Sequence, residues 1–213
     1  MRPDLPGIDR VTTLDNVSIM KLQQVHEHLV IVGGSYIRLE FAQIMRGFGS
    51  EVTVVERSAR LLPRDAEDVS DGIGAILETE GVRFALGSEC LSPLLEGGRI
   101  VVGAACATEQ PPIVGNYVLL AAGRRANTDG LGLELAGIAT VARGYITVDE
   151  QCRTSAEGMW AGGDCNGRGA FTHPSWNDHE IVVANQYDGD ARRIADRIAC
   201  YARFIDPPLG ASA

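Results

Sequence analysis

The stretch from His28 to Glu56 limits the folds open to this chain more than any other part of the sequence. It begins with an apolar run at residues 29–32, which predicts a buried strand, and two glycines follow at 33–34. Apolar residues then recur at helical spacing between 37 and 45, and a second β-rich run with a terminal acid occupies 52–56. Strand, glycine turn, helix, strand and acid, in this order, predict half of a dinucleotide-binding α/β fold.

The glycine turn follows the GxGxxG pattern only in part, because Gly33, Ser35 and Arg38 stand at its three glycine positions. The first glycine allows the sharp turn, the second lets the backbone approach a pyrophosphate, and the third lets helix and strand pack closely. Ser35 is small enough for that approach. Arg38 brings a long side chain to a close-packed place, at a cost of roughly 1–3 kcal/mol unless it swings to solvent. An ordinary βαβ unit without a ligand is the alternative.

The end of the second strand carries charges that bear on the choice of dinucleotide. Glu56 follows Gly33 at close to the spacing of about 20 residues expected for the acid that binds the ribose hydroxyls. A 2′-phosphate there would meet a like charge, which favours NADH. Arg57, Arg60 and Arg64 leave NADPH open, because guanidinium groups suit a 2′-phosphate; a solvated loop face is the alternative for these arginines. We predict NAD(H) in preference to NADP(H).

Composition excludes several classes of function. The 213 residues suffice for one large or two small domains, and a net charge of −9 disfavours nucleic acid or an anionic membrane as partner. No apolar run is long enough for a membrane span, and the N-terminus lacks the apolar core of a signal peptide. The odd number of cysteines, without zinc spacing, predicts reduced and mostly buried thiols, no metal site and a cytoplasmic location: Cys90, Cys106, Cys152, Cys165 and Cys200.

Further elements are predicted on either side of a loop-rich middle. Asp65 or Asp68 is expected to cap a helix that runs to about Glu80. The remaining patterns predict strands at 82–86, 117–122 and 144–150, a hairpin turn at Gly97-Gly98, and a helix after Pro174 with a break near Gly189.

Four motifs in a fixed order carry a resemblance that covers nearly the whole chain: VIVGGSYIRLEFAQ, VTVVE, VLLAAGRRANTDGLGLE and YITVDEQCRTSAEGMWAGGD. The chain resembles the pyridine nucleotide-disulfide oxidoreductases, which include dihydrolipoamide dehydrogenase, mercuric reductase and glutathione reductase. Its ending is most similar to the mercuric-reductase-like branch, which includes bacterial reductases linked to reactive-chlorine resistance.

The resemblance implies an α/β fold with a Rossmann-like NAD(P)-binding domain, made of a parallel sheet and a β-meander, at residues 26–121. A connector from the flavin domain would precede it at 1–25. The C-terminal part of an FAD-binding domain would follow at 122–195, and 196–213 would lead toward a missing dimerisation domain. The family's FAD-binding glycine motif and redox disulfide are not in the sequence, which suggests a central fragment.

The resemblance also implies roles for individual residues. Glu40 matches a carboxylate near the nicotinamide, the one catalytic candidate; a solvated helix carboxylate is the alternative. Asp164 matches the residue that holds the flavin's ribityl chain, although an aspartate here could simply cap a helix. His173 belongs to a helix start that faces the flavin ring, or else packs there. The predicted cofactor-binding set is Gly33, Gly34, Ser35, Tyr36, Ile37, Glu56, Arg57, Ala122, Gly123, Arg124, Gly163, Asp164, Phe171, Thr172 and His173.

The implied function is that of a flavin-dependent oxidoreductase that passes hydride from NAD(P)H to FAD and then electrons to a disulfide or a metal ion. The partners are small-molecule cofactors, and a homodimer is expected only for the full-length parent. FAD is expected to bind the parent, and this piece weakly or not at all. The alternatives are an isolated NAD(H)-binding module without catalytic activity and a structural piece that binds no nucleotide.

Overall fold

The structure is a computed structural model, and the residues that it describes are 6–88, 91–97, 99–104, 112–120 and 123–212. Two compact units make up the chain. The first comprises Met1–Gly123 with Ala202–Leu209, and the second Arg124–Tyr201 with Gly210–Ala213.

Ten strands and three helices form the regular structure of the described residues, together with four short 3₁₀ turns. The strands are β1 Thr13–Leu14, β2 His28–Val32, β3 Glu51–Val55, β4 Val82–Ala85, β5 Leu91–Glu96, β6 Arg99–Ala104, β7 Ile113–Gly115, β8 Tyr117–Leu120, β9 Cys200–Arg203 and β10 Leu209–Ser212. The helices are α1 Tyr36–Gly47, α2 Glu67–Thr79 and α3 Thr172–Tyr187.

A five-stranded parallel sheet in the order β1-β8-β2-β3-β4 forms the centre of the first unit. Val30 of β2 pairs with Thr53 on one side and with Val118 on the other. Both faces of β2 are covered, because Val30 and Ile31 point to opposite faces and both are fully buried. The prediction that the runs at 29–32 and 52–55 form neighbouring parallel strands is confirmed.

The predicted meander is a second, antiparallel sheet in the order β5-β6-β7. Gly97, with φ 56°, follows β5 and provides the left-handed conformation that a tight hairpin turn needs. Gly98, the other residue of the predicted turn, lies outside the described residues. The α/β class with a parallel sheet and a meander is therefore confirmed.

Helix α1 packs on the parallel sheet through Leu39, Ala42 and Met45, which are all buried. Ile44 belongs to the apolar pattern that predicted the helix, yet 47% of its surface is exposed. It therefore lies outside the packed stripe. Gly49 follows the helix with φ 101°, a left-handed conformation that glycine adopts without strain.

Two local predictions are wrong. The N-cap residue of α2 is Ala66, which makes no side-chain cap, so neither Asp65 nor Asp68 caps this helix. Asp65 instead forms an ion pair with Arg203. The strand predicted at 144–150 is absent from the described residues; Ile146 forms only an isolated bridge.

The second unit has a small apolar core of Leu133, Ile146 and Ala161. Helix α3 ends at Tyr187, just before the break predicted at Gly189. Its buried positions are Pro174, Asp178, Ile181 and Ala184, so a carboxylate lies on the buried face of this helix.

The described cysteines are free thiols in three different environments: Cys152 is buried, Cys165 is half-buried and Cys200 is exposed. Cys90 and Cys106 lie outside the described residues. Within the described ranges, no group of three or more His, Cys, Asp or Glu side chains could hold a metal ion. None of the described helices is both long enough and apolar enough to cross a membrane.

Candidate functional site

The glycine turn between β2 and α1 is tightly packed. The Gly33 N–H donates a 2.6 Å hydrogen bond to the Val55 carbonyl, and Gly33 has φ 104°. A Cβ atom at Gly34 would lie 3.0 Å from a methyl of Leu61 and 3.1 Å from Oε2 of Glu56. Position 33 therefore favours glycine for its backbone conformation, and a side chain at Gly34 would push the Leu61 and Glu56 side chains aside.

Glu56 follows β3 directly, and its carboxylate lies against the glycine turn. Oε2 accepts a hydrogen bond from the Gly34 N–H, and Oε1 accepts one from the Ser58 N–H at 2.9 Å. The structure thus brings together the acid and the turn that the sequence spacing predicted to be neighbours. The role of Glu56 in binding a ribose stays a prediction.

Arg38 folds back over the turn. A Cβ atom placed on Gly33 would lie only 2.0 Å from Nη1 of Arg38, so the guanidinium covers the first glycine. Burial lowers the pKa of Arg38, and the nearby Glu56 carboxylate acts in the opposite direction. The guanidinium therefore lies at the entrance to the turn, beside the predicted ribose acid.

Helix α1 starts immediately after the glycine turn. Ser35 is its N-cap residue, with extended backbone, and its hydroxyl makes no capping hydrogen bond. The Ser35 carbonyl accepts hydrogen bonds from the N–H groups of Arg38 and Leu39 at 2.9 and 3.2 Å. Tyr36 and Ile37 thus form the first turn of the helix, the part of a helix whose N–H groups suit an anion.

The arginines beyond Glu56 differ in their surroundings. Arg60 donates from Nη2 to the carbonyls of Pro63 and Asp65 at 3.2 and 3.3 Å, so its guanidinium binds its own loop. Arg57 and Arg64 are exposed. The loop therefore holds one of the three candidate arginines away from a role in phosphate binding.

Glu40 has a backbone partner in the same unit. Its Oε1 accepts a 2.9 Å hydrogen bond from the N–H of Phe204. The assignment of Glu40 to the nicotinamide stays a prediction, and this hydrogen bond offers a second use for the carboxylate.

The predicted flavin residues of the second unit gather around Asp164. Nη1 of Arg124 lies 3.9 Å from Oδ2 of Asp164 and donates to the Ala170 carbonyl at 3.1 Å. Ser175 donates to Oδ1 of Asp164 at 3.3 Å. The Asp164 side chain remains 63% exposed, which suits a carboxylate expected to accept from a ligand hydroxyl. Gly123 has φ 125°, and Ala122 lies outside the described residues.

The start of α3 brings Phe171, Thr172 and His173 together. Phe171 is the N-cap residue, and its ring stacks on the His173 ring with 5.6 Å between centroids. Nε2 of His173 lies 2.7 Å from the Cys200 carbonyl, which can only accept, so this nitrogen carries a proton. The His173 ring is thus oriented by a backbone contact.

A buried polar cluster near Asp164 was not predicted from the sequence. Oδ2 of Asp178 accepts from the Gly163 N–H and from the Asn166 side chain, both at 2.8 Å, and Oδ1 pairs with Arg197. Asp178 is 1% exposed. The position of Asp178 three residues before Ile181, on the apolar face of the helix, could have indicated from the sequence that this carboxylate is buried.

A family model described as pyridine nucleotide-disulphide oxidoreductase matches residues 1–182. The chain belongs to this family. The family and the α/β fold with a parallel sheet thus agree with what the four sequence motifs indicated.

Individual relatives agree with the family model. The chain is 34% identical to the probable pyridine nucleotide-disulfide oxidoreductase RclA of Escherichia coli K12, over 97% of this chain and 46% of RclA. It is 35% identical to a mercuric reductase of Streptomyces lividans, over 97% of this chain and 44% of the relative. A solved Cu(II) complex of the HOCl-induced flavoprotein disulfide reductase RclA superposes with a TM-score of 0.90 at 34% identity, covering 100% of this chain and 49% of that one. The chain thus spans less than half the length of these relatives.

Proposed function

We propose that this chain binds NAD(H), in preference to NADP(H), at the glycine turn between β2 and α1. We further propose that the whole protein is a flavin-dependent oxidoreductase. The bound cofactors would supply the redox chemistry there: transfer of a hydride from NADH to FAD, followed by delivery of the two electrons either to a disulfide, which becomes two thiols with the uptake of one further proton from solvent, or to a metal-ion substrate. Membership of the family supports this proposal, and the geometry of the turn supports the first step.

One observation carries the cofactor assignment: the Glu56 carboxylate lies against the Gly34 N–H at the carboxyl end of the parallel sheet. Dinucleotides bind in the crevice outside the carboxyl ends of such strands, with the pyrophosphate at the glycine turn and a ribose at the acid. Glu56 would accept from both ribose hydroxyls of NADH. A 2′-phosphate at the same place would face a like charge.

Arg38 must move for the pyrophosphate to reach the turn. The atoms that crowd Gly33 belong to the far end of the Arg38 side chain, which has several rotatable bonds. The guanidinium can therefore leave the turn without any shift of the backbone. The residues of the turn fit a dinucleotide on this condition, and the displacement of Arg38 reduces the affinity.

The second unit would contribute to FAD binding in the whole protein. Asp164 presents an exposed carboxylate that can accept from a ribityl hydroxyl, and the start of α3 at Thr172 offers the positive end of a helix. Arg124 would balance the charge of Asp164. The alternative for the chain taken by itself is a binding module that holds NAD(H) and catalyses nothing. A cytoplasmic location and a homodimer of the full-length parent stay predictions.

The test is a titration of this chain, and of its Glu56→Ala variant, with NADH and with NADPH. We expect the wild type to bind NADH more tightly than NADPH. Glu56→Ala should weaken NADH binding about tenfold, since two hydrogen bonds to a charged group are lost while solvent takes their place. Glu51→Ala is the matched control, because Glu51 lies at the opposite end of β3 and is exposed.

Three results would count against the proposal. Tighter binding of NADPH by the wild type would overturn the role of Glu56 in cofactor choice. Equal NADH affinities for the wild type and Glu56→Ala would make the acid a bystander. Binding of neither dinucleotide by the wild type would favour the structural alternative.

A further inference from the structure

A short segment from far along the chain returns to the first unit and binds helix α1. We call residues 203–206 the strap. The Phe204 N–H donates to Oε1 of Glu40 at 2.9 Å, one turn after the helix start. Gln43 exchanges two hydrogen bonds with the backbone of Asp206, accepting at 2.7 Å and donating at 2.9 Å. The strap therefore runs along the helix whose start forms the candidate dinucleotide site.

The same strap also binds the loop that follows Glu56. Nη2 of Arg203 lies 2.5 Å from Oδ2 of Asp65, and the two side chains are only 8% and 12% exposed. Ile205 is buried in the same apolar core as α1 and α2. Four consecutive residues thus connect the helix on one side of the glycine turn with the loop on the other.

That loop adopts a conformation that needs support. Leu62 has φ 45°, an uncommon value for a side chain of its size, and its N–H donates to the Gly34 carbonyl at 3.2 Å. Such a residue keeps its conformation only where the surrounding structure holds it. The N–H of Asp65, three residues later, donates to the Leu62 carbonyl at 2.9 Å, and the Asp65 carboxylate forms the ion pair with Arg203. The ion pair therefore connects the strap to the glycine turn through Asp65 and Leu62.

We propose that Arg203 is a positioning residue for the dinucleotide site: through Asp65 it holds the 57–65 loop against the glycine turn, ready for the adenosine half of NADH. This inference rests on the proposed NAD(H) binding. When the loop is already ordered, NADH does not have to supply the free energy of ordering it. Removing the ion pair should therefore weaken NADH binding although neither residue touches the ligand. A buried ion pair is a candidate for such a task, because in some proteins buried charged groups select one geometry while they add little stability.

The test compares NADH and ADP-ribose binding to the wild type, Arg203→Met, Asp65→Asn and the double variant, by titration calorimetry. Methionine keeps much of the apolar stem of the arginine, and asparagine keeps the shape of the aspartate. We expect each single variant to weaken both ligands at least tenfold with an unchanged number of sites. The double variant should be no weaker than the weaker single variant, because both changes break one interaction.

Controls separate positioning from general damage. Arg83→Met removes the exposed ion pair with Glu51 in the same unit and should leave both affinities unchanged. Loss of folded protein lowers the number of binding sites, whereas loss of positioning raises the dissociation constant. If Arg203→Met does not fold, Arg203→Lys with Asp65→Asn replaces it in the same comparison.

The outcomes distinguish this inference from the function on which it rests. A wild type that binds neither NADH nor ADP-ribose refutes both. A wild type that binds NADH, with Arg203 and Asp65 variants that bind it equally well, refutes the positioning role alone. Independent, additive losses in the two single variants would also refute it, because they would show that the pair is not the unit that acts.

Discussion

Replacing Asp178 by alanine should selectively destabilise the second unit. This carboxylate is 1% exposed and accepts from three groups: the Gly163 N–H, the Asn166 amide and the Arg197 guanidinium. The Arg197 side chain is itself only 12% exposed, so the variant leaves a mostly buried cation without its carboxylate partner, although the Asn177 side-chain oxygen still accepts from Arg197. The Gly163 N–H loses its side-chain acceptor, and the Asn166 amide keeps the Ala161 carbonyl. Breaking a buried ion pair in this way costs about 3–5 kcal/mol of unfolding free energy.

Urea unfolding followed by tryptophan fluorescence measures this loss. The chain has two tryptophans, Trp160 and Trp176, and both lie in the second unit, so the signal reports that unit. With a urea dependence of about 1–3 kcal/mol per molar, the midpoint should fall by roughly 2 M. Asp178→Asn should lose less, because the amide oxygen still accepts.

The control removes an exposed pair from the same unit. Asp190 pairs with Arg192 at 2.9 Å with both side chains about half exposed, and Asp190→Ala should leave the midpoint unchanged. An Asp178→Ala midpoint equal to that of the wild type would mean that the buried cluster contributes nothing to stability, contrary to this prediction.

Three further results follow from the structure. Arg38→Ala should tighten NADH binding at least fivefold in a titration, because moving the Arg38 side chain off the turn no longer costs roughly 1 kcal/mol or more of binding free energy. Weaker binding by the variant would show that the guanidinium assists the ligand. Burial raises the pKa of the Cys152 thiol to about 12, so alkylation of the folded protein at pH 8, read by peptide mass, should modify exposed Cys200 and spare Cys152. Burial lowers the pKa of His28 below its ordinary value of about 6.5, so just below that pH the unfolded state binds more protons than the folded state. The unfolding free energy of the first unit should therefore fall as the pH drops through this range. A His28→Gln variant without a reduced pH dependence would contradict this.

The elements that the sequence predicted well are those specified by neighbouring residues. The apolar run at 29–32 predicts β2 because its residues are buried on both faces, and Gly33 marks the turn because helix and strand must meet there. The spacing to Glu56 predicts an acid beside the turn because one βαβ unit has a nearly constant length. Because these patterns depend on residues close together in the chain, the sequence alone is enough to predict them.

The details that escaped prediction depend on partners distant in sequence. Nothing near Glu40 indicates that its carboxylate meets the Phe204 N–H, since these residues are brought together only by the folded strap. The partner of Asp65 is likewise an arginine far along the chain, which is why a local helix cap was the natural but wrong prediction. The direction of the Arg38 side chain is a choice among rotamers that depends on Gly33 and Glu56 together.

Amide hydrogen exchange with and without NADH shows where on this chain the dinucleotide binds as well as whether it binds. With NADH at the glycine turn, we expect slower exchange in peptides that contain the turn at 33–38 and the loop at 56–62, with little change in the second unit. Unchanged exchange in those peptides at saturating NADH, or protection confined to the second unit, would contradict the claim that the glycine turn and Glu56 form the dinucleotide site.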